Sequence, residues 1–296
     1  MPTFAPRREL GRTGFIATQL GAGDLADRAL GRAACAAILR RALDAGINVV
    51  DTAPSYEEGL SEEVVGAALA GRRDGIFVID KIDHLDRPLG PQIAESIGRL
   101  GFAPDAFVFH GVSRLEDWEA LAAPGGKLAE LRDEAGRGRC RFRGVSSHHP
   151  DVVRAAITSG LCDVVMFAVG PFVVRRYTDE LLPLARTRGV GTVCFKTFGA
   201  GKLVAETEGY GRPLPAGAAP GPRLTVEECL HVTLTLDPDV ALLGLSTVAE
   251  QDAAFAAAAR FEGPLSAARL DEIRRRAAEA VRGKGRIWWD PVGSSS

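Results

Sequence analysis

Four residues of this chain carry groups that can move or steer a proton, and three of them stand where an apolar run gives out. Asp51 closes "INVVD", Lys81 closes "IFVIDK" and His110 closes "AFVFH"; Tyr56 follows Asp51 in "TAPSYEEG". A phenol works as a general acid when its pKa is drawn from about 10 toward the working pH. An ammonium about 4 Å away favours the phenolate by ~4 kcal/mol at an effective dielectric near 20, roughly three pKa units. Burial pushes the other way. Asp51 is the counter-ion that lets Lys81 stay charged in a partly dry pocket, and His110 can donate a hydrogen bond to a substrate oxygen. Around one oxygen, the four would hold, polarise and protonate a carbonyl. Singly each has an ordinary reading: Asp51 as a turn former, Tyr56 as an amphipathic surface ring, Lys81 as a solvated edge charge, His110 as a structural histidine. A fold that gathers them at one place decides for chemistry.

Such a fold is legible in the rhythm of the chain. Short apolar runs at 18–23, 47–52, 76–81, 106–111, 141–147, 164–170, 191–197 and 240–246 alternate with longer amphipathic stretches. The runs are continuous rather than alternating, as expected for strands covered on both faces. The stretches between them carry helix start and stop signals. Residues 32–46 end on Gly46, 61–71 open with Ser61 as N-cap followed by acids, 150–160 run from Pro150 to Gly160, and 178–189 from Thr178 to Gly189. Strand–helix alternation predicts a parallel sheet. About eight units in a chain of this size predict one (β/α)8 TIM barrel over 1–296, with additional C-terminal helices at 248–261 and 266–283. The runner-up, an open doubly wound sheet, expects a GxGxxG turn after the first strand, and "LGAGDLADRALG" does not have that spacing. Residues 208–223 read as a long mobile loop over one barrel face. In a barrel the C-terminal strand ends share one mouth. Asp51, Lys81 and His110 end the second, third and fourth strands, with Tyr56 in the loop after the second.

Composition removes other classes. The net charge of −2 provides no basic stripe for nucleic acid or an anionic membrane. No apolar run approaches the roughly 20 residues of a membrane helix, and the N-terminus shows no secretory h-region. Cys35, Cys140, Cys162, Cys194 and Cys229 are scattered without a CxxC, which fits reduced thiols in a cytoplasm and small core residues. No metal site is expected. His148 and His149 are adjacent and would face opposite ways on a strand, HExxH is absent, and the first strand ends in "GAGD", without the HxH of a metal-dependent barrel hydrolase. Trp288 and Trp289 read as a tail packing on the barrel.

The chain resembles the aldo-keto reductases nearly end to end, from "LGRTGFIATQLGAG" to "GLSTVAEQ". The most specific pieces are "GINVVDTAPSYEEGLSEEVVGAAL", the Lys81 strand end, "FVFHG" and "GVSSHHPDVVRAA". The resemblance implies a barrel that uses a nicotinamide dinucleotide without a Rossmann fold. It implies an Asp-Tyr-Lys-His tetrad falling on Asp51, Tyr56, Lys81 and His110, with hydride passing to a carbonyl carbon while Tyr56 delivers the proton. The substrate is then a small carbonyl or alcohol, with aldehyde, ketone, sugar lactol and steroid all open.

The same resemblance locates the cofactor. The Ser-Asn pair that holds the carboxamide falls on Ser146 and Ser147, and the glutamine of the sixth strand on Met166, whose thioether is a weak acceptor. Phe195 takes the place of the ring that stacks on nicotinamide. Lys196, Thr197, Phe198, Gly199 and Gly201 form the pyrophosphate loop, with charge from Lys196 or Lys202; Lys202 otherwise reads as a solvated loop charge. Gly244, Ser246 and Thr247 fall at a helix N-terminus, a ready anion site. The resemblance implies NADP(H). Glu250, however, stands where NADP-dependent relatives often carry a base, and repels a 2′-phosphate by about 1 kcal/mol or less, which opens NAD(H) or dual use. The departures at Ser147 and Met166 keep a second reading: a nucleotide-binding accessory or sensor barrel with little turnover.

Overall fold

The computed structural model describes residues 2–214 and 221–289. A short antiparallel hairpin, β1 (Arg8–Glu9) and β2 (Ile16–Ala17), comes first. Eight parallel strands then close into a barrel: β3 (Leu20–Ala22), β4 (Val49–Asp51), β5 (Phe77–Ile82), β6 (Ala106–Phe109), β7 (Phe142–Ser146), β8 (Val164–Ala168), β9 (Gly191–Phe195) and β10 (Val240–Leu243). Each strand pairs with its neighbours in chain order, and β10 pairs with β3. This is the (β/α)8 barrel the sequence predicts. Each strand lies within the run predicted for it except β5, which extends one residue further, to Ile82.

Strand side chains alternate between two faces, and the interior set reads directly off the sequence. Val49, Phe77, Ile79, Ala106, Val108, Val164, Met166, Val193, Val240 and Leu242 form one buried cluster inside the barrel. Continuing at a spacing of two, Val49 leads to Asp51, Ile79 to Lys81, Val108 to His110 and Val193 to Phe195. The polar residues are thus the top layer of the same inward face. Phe107, Phe109, Val145, Val165 and Phe167 point the other way, into the helix layer. The hairpin stops the opposite end: Leu10 between its strands is fully buried, and Phe15 packs 5.2 Å from Phe77, which stacks on Phe142. Gly144 on β7 is held to glycine by crowding, since an added Cβ would stand 2.0 Å from the Val164 carbonyl oxygen.

The surrounding helices are α1 (Arg32–Asp44), α2 (Leu60–Leu69), α3 (Leu89–Leu100), α4 (Leu115–Ala122), α5 (Lys127–Gly136), α6 (Pro150–Ser159), α7 (Leu182–Thr187) and α8 (Val226–Leu236). The two additional C-terminal helices follow as α9 (Val248–Ala259) and α10 (Ala267–Ala280). Ser61 is not the cap of α2. Gly59, at φ +91, takes that place, and the Ser61 hydroxyl accepts from Thr52 Oγ1 at 2.8 Å. The stretch opening at Thr178 begins as a wide turn, Tyr177–Leu181, before α7. Pro183 lacks the N–H that a regular turn there would use.

The tail packs as expected at Trp289, which is fully buried and donates from Nε1 to the Phe172 carbonyl at 3.0 Å. Lys202 is not solvated. It is fully buried and donates to the Lys284 carbonyl, while Lys284 Nζ donates to the carbonyls of Lys202 and Ala205, each at 2.8 Å. Main-chain oxygens replace water around both ammonium groups and clasp the tail to the loop after β9. Of the long loop at 208–223, residues 215–220 lie outside the described residues. Among the described residues no helix is long and apolar enough to cross a membrane.

Candidate active site

Asp51, Lys81, Tyr56 and His110 meet at the C-terminal mouth of the barrel. Lys81 Nζ donates to Asp51 Oδ1 at 2.6 Å and to the Thr52 carbonyl at 2.7 Å, and both charged side chains are buried. Burial works against the ammonium, but Asp51 and Tyr56 outweigh it and hold Lys81 above the ordinary lysine value. The same ammonium lies 4.4 Å from the centre of the Tyr56 ring. The His110 ring meets that of Tyr56 edge-on, with centroids 5.6 Å apart.

The Tyr56 phenol departs from the sequence expectation in direction. Its pKa stands above the ordinary value of 10: burial raises it, and the carboxylates of Asp51 and Asp24 reinforce burial against the pull of Lys81. The phenol therefore keeps its proton at neutral pH. The turn that carries it, Tyr56–Gly59, is strained, with Glu57 at φ 47 and Glu58 at φ 54. Side chains in that left-handed region cost about 1–2 kcal/mol each. Arg28, from the loop after β3, pairs with Glu58 at 2.6 Å and donates to the Glu57 carbonyl at 3.0 Å, which braces the turn.

His110 Nδ1 is hydrogen-bonded to Asp83 Oδ1. The other oxygen, Oδ2, accepts from the Ser55 backbone N–H at 2.8 Å. Burial would raise the Asp83 carboxyl, but His110 and Ser55 more than compensate and hold it below the ordinary value. A surface hollow of about 350 Å³ opens beside the site, lined by residues that include Pro54, Glu58, Asp83, His84 and Arg87; of the mouth groups only Asp83 reaches it.

The other predicted residues fall on neighbouring loops. Ser146 Oγ accepts from the Gly111 N–H at 2.9 Å, and Ser147 Oγ from the His149 N–H at 2.9 Å. His149 in turn caps α6, its Nδ1 accepting from the Asp151 N–H. The two histidines thus diverge: the His148 ring meets Phe195 edge-on at 5.1 Å. Burial, then Lys196 and His110, push His148 down to about 3, so it is neutral. Met166 is buried in the barrel interior. Lys196 sits at φ 78, hydrogen-bonds the Tyr210 hydroxyl and lies 5.3 Å from the centre of the Phe195 ring and 5.7 Å from that of Trp288. The same ammonium lies 5.8 Å from the centre of the Trp289 ring, so both tail tryptophans reach Lys196. Phe198, Gly199 and Gly201 form the tight turn after β9, and Tyr210 N–H docks on the Ala200 carbonyl at 2.8 Å.

At the other end of the row, Gly244 follows β10 and Thr247 caps α9. Thr247 Oγ1 accepts from the Glu250 N–H, and Glu250 Oε2 accepts from the Thr247 N–H at 3.0 Å, with Ser246 Oγ at 3.5 Å. Glu250 thus closes a capping box on the helix end where an anion site was expected. Among the described residues no group of three or more His, Cys, Asp or Glu side chains is placed to hold a metal ion.

The Aldo/keto reductase family profile matches residues 18–242. The chain belongs to the aldo/keto reductase family. Among curated relatives, the NADH-specific methylglyoxal reductase of Escherichia coli is 28% identical over 233 residues, 71% of this chain and 69% of its own. The D-threo-aldose 1-dehydrogenase of a Pseudomonas species is 30% identical over 212 residues, 58% of this chain and 61% of its own. Among solved structures, an aldo-keto reductase of Bacillus halodurans in its holo form superposes with a TM-score of 0.72 at 22% identity, over 91% of this chain and 95% of that one. One from Klebsiella pneumoniae in complex with NADPH gives 0.67 at 18% identity, over 93% and 95%.

Two groups of this aldo/keto reductase mouth escaped the sequence reading. Asp83 lies in "KIDHLD", which passes for an ordinary polar loop; its spacing of two from Lys81 was the signal that it continues the inward face. Asp24, in the "GAGD" read only for its missing histidine, accepts from the Ala26 N–H at 3.1 Å and is raised mainly by burial.

Proposed function

We propose that this aldo/keto reductase interconverts a small carbonyl compound and its alcohol with a nicotinamide dinucleotide, Tyr56 acting as general acid in reduction and general base in oxidation. The observation that carries this reading is the placement of one ammonium: Lys81 is bonded to Asp51 at 2.6 Å and stands 4.4 Å from the Tyr56 ring centre. In that position it stabilises negative charge on the phenol oxygen as the proton leaves, while His110 flanks the same ring.

The residues present fit a dinucleotide. Thr197 Oγ1 and His148 Nδ1 are buried with no hydrogen-bond partner among the described residues, and buried polar atoms normally have one. Phe195 presents a half-buried ring beside His148, and Gly199 and Gly201, both at positive φ, allow close approach of main-chain N–H groups to phosphates. When bound, the nicotinamide would supply or accept the hydride; Ser146, Ser147 and Phe195 would hold its ring end, and Lys196, Thr197, Phe198, Gly199 and Gly201 its phosphates. The family favours NADP(H). The capping-box carboxylate of Glu250 weakens that preference, and NAD(H) is used as well, in keeping with an Escherichia coli relative named NADH-specific and a Klebsiella neighbour solved with NADPH.

The test is a panel of aldehydes, 2-oxoaldehydes, ketones and aldoses with each reduced or oxidised nucleotide. Turnover of one class with either nucleotide supports the reading. Nucleotide binding without turnover across the panel favours the sensor reading, which the burial of Met166 and the engagement of the Ser147 hydroxyl with His149 keep in view.

A further inference from the structure

Asp83 touches both halves of the proposed acid. Its Oδ1 is hydrogen-bonded to His110 Nδ1, and its Oδ2 accepts from Ser55, the residue before Tyr56, at 2.8 Å. It is the side chain through which the β4, β5 and β6 loop ends are joined at the mouth. A carboxylate has only lone pairs to offer, and the Ser55 contact already uses one oxygen as an acceptor. The proton between Asp83 and His110 therefore belongs to Nδ1. An imidazole with its proton on Nδ1 has a bare lone pair on Nε2 when neutral; only the imidazolium has an N–H there.

Resting on the proposed function, we propose that Asp83 is a positioning residue: it fixes the His110 proton on Nδ1 and the orientation of the ring, and sets the backbone from which Tyr56 projects. The groups facing His110 are Asp83 from the loop after β5, Tyr56 and Asp51 from β4 and its loop, and His148 from the loop after β7, with Lys81 beyond Tyr56. Asp83 is the carboxylate bonded to the ring, so its removal releases the tautomer and the orientation of the imidazole.

The experiment compares wild type, Asp83→Leu and Asp83→Asn, with Tyr56→Phe alongside. Long-range 15N–1H correlation spectra of the full chain read the His110 tautomer. Initial rates of carbonyl reduction across pH give kcat and KM separately, and fluorescence titration gives nucleotide Kd. Wild type shows the neutral ring protonated at Nδ1. Asp83→Leu lowers kcat about 10–100-fold, the scale seen when a metal-site imidazole loses its orienting partner, with KM and Kd changed less than about three-fold. Asp83→Asn regains the Nδ1 tautomer and most of the lost kcat. A wild-type ring protonated at Nε2, or an unchanged kcat in Asp83→Leu, overturns the proposal. If no carbonyl turns over, the reductase reading fails while the tautomer still judges Asp83; if Asp83→Leu does not fold, the wild-type spectrum and Asp83→Asn decide.

Discussion

Lys81→Met separates what the ammonium does for the fold from what it does for the acid. In the fold it neutralises Asp51, whose side chain is 5% exposed and 2.6 Å away. Removing one partner of a buried pair costs about 3–5 kcal/mol, because the other is left charged and dry. At the acid, a unit charge at the observed 4.4 Å from the ring favours the phenolate by about 4 kcal/mol at an effective dielectric near 20. Its loss lifts the phenol by roughly three further pKa units. The double variant Asp51→Asn/Lys81→Met carries no orphan charge. Urea unfolding and initial rates on all three proteins give the assay. Lys81→Met loses stability and turnover together; the double variant recovers most of the stability and none of the turnover. The pH dependence has a definite sign. In Lys81→Met, burial holds the folded pKa of Asp51 above its unfolded value of about 3.9. Relative stability is then present at low pH and is lost as pH rises through the folded pKa. The reasoning is refuted if Lys81→Met matches wild type in stability within about 1 kcal/mol at neutral pH, or if its deficit deepens as the solution is acidified.

Three further outcomes follow from neighbouring residues. Asp80, on the outer face of β5, is fully buried with Oδ2 unpartnered, and burial and Glu62 raise it well above the ordinary carboxyl. It therefore takes up a proton on folding, and its contribution to stability is lost as pH rises from about 4 through the raised value; Asp80→Asn should gain on wild type in urea midpoint from pH 5 to pH 9, and an advantage that shrinks instead contradicts this. Glu57→Val and Glu58→Val, placed at φ 47 and 54, should each be less stable by about 1–2 kcal/mol than the glycine variant at the same position; equal unfolding midpoints for valine and glycine would show the turn to be unstrained. Glu250→Lys should loosen α9 by about 1 kcal/mol through the lost capping box and improve NADPH binding relative to NADH by up to about tenfold, read by side-by-side titration; an unchanged ratio places the 2′-phosphate elsewhere.

The barrel was legible because its strands are continuous apolar runs and its helices carry repeated stop glycines. The mouth was legible because parity carries each interior run onto a polar residue: Val49 to Asp51, Ile79 to Lys81, Val108 to His110. The same parity would have carried Lys81 to Asp83, but "KIDHLD" gives no apolar frame beyond Ile82 in which to see it. The hairpin at 8–17 was missed because strands of two residues have no period. The direction of the Tyr56 shift was missed because it depends on a balance of burial, Asp51, Asp24 and Lys81 that spacing does not encode. The burial of Lys202 was hidden for a different reason: its partner is a main-chain carbonyl, that of Lys284, from the far end of the chain.

Tyr56→Phe tests the central claim most directly. It removes one hydroxyl, leaves the ring beneath Lys81 and beside His110, and deletes no cofactor contact. Reduction of a good carbonyl substrate by this variant is predicted to fall by about 10²–10⁴-fold in kcat, with nucleotide Kd within about two-fold of wild type. A variant that reduces the same substrate at the wild-type rate would show that the proton comes from elsewhere.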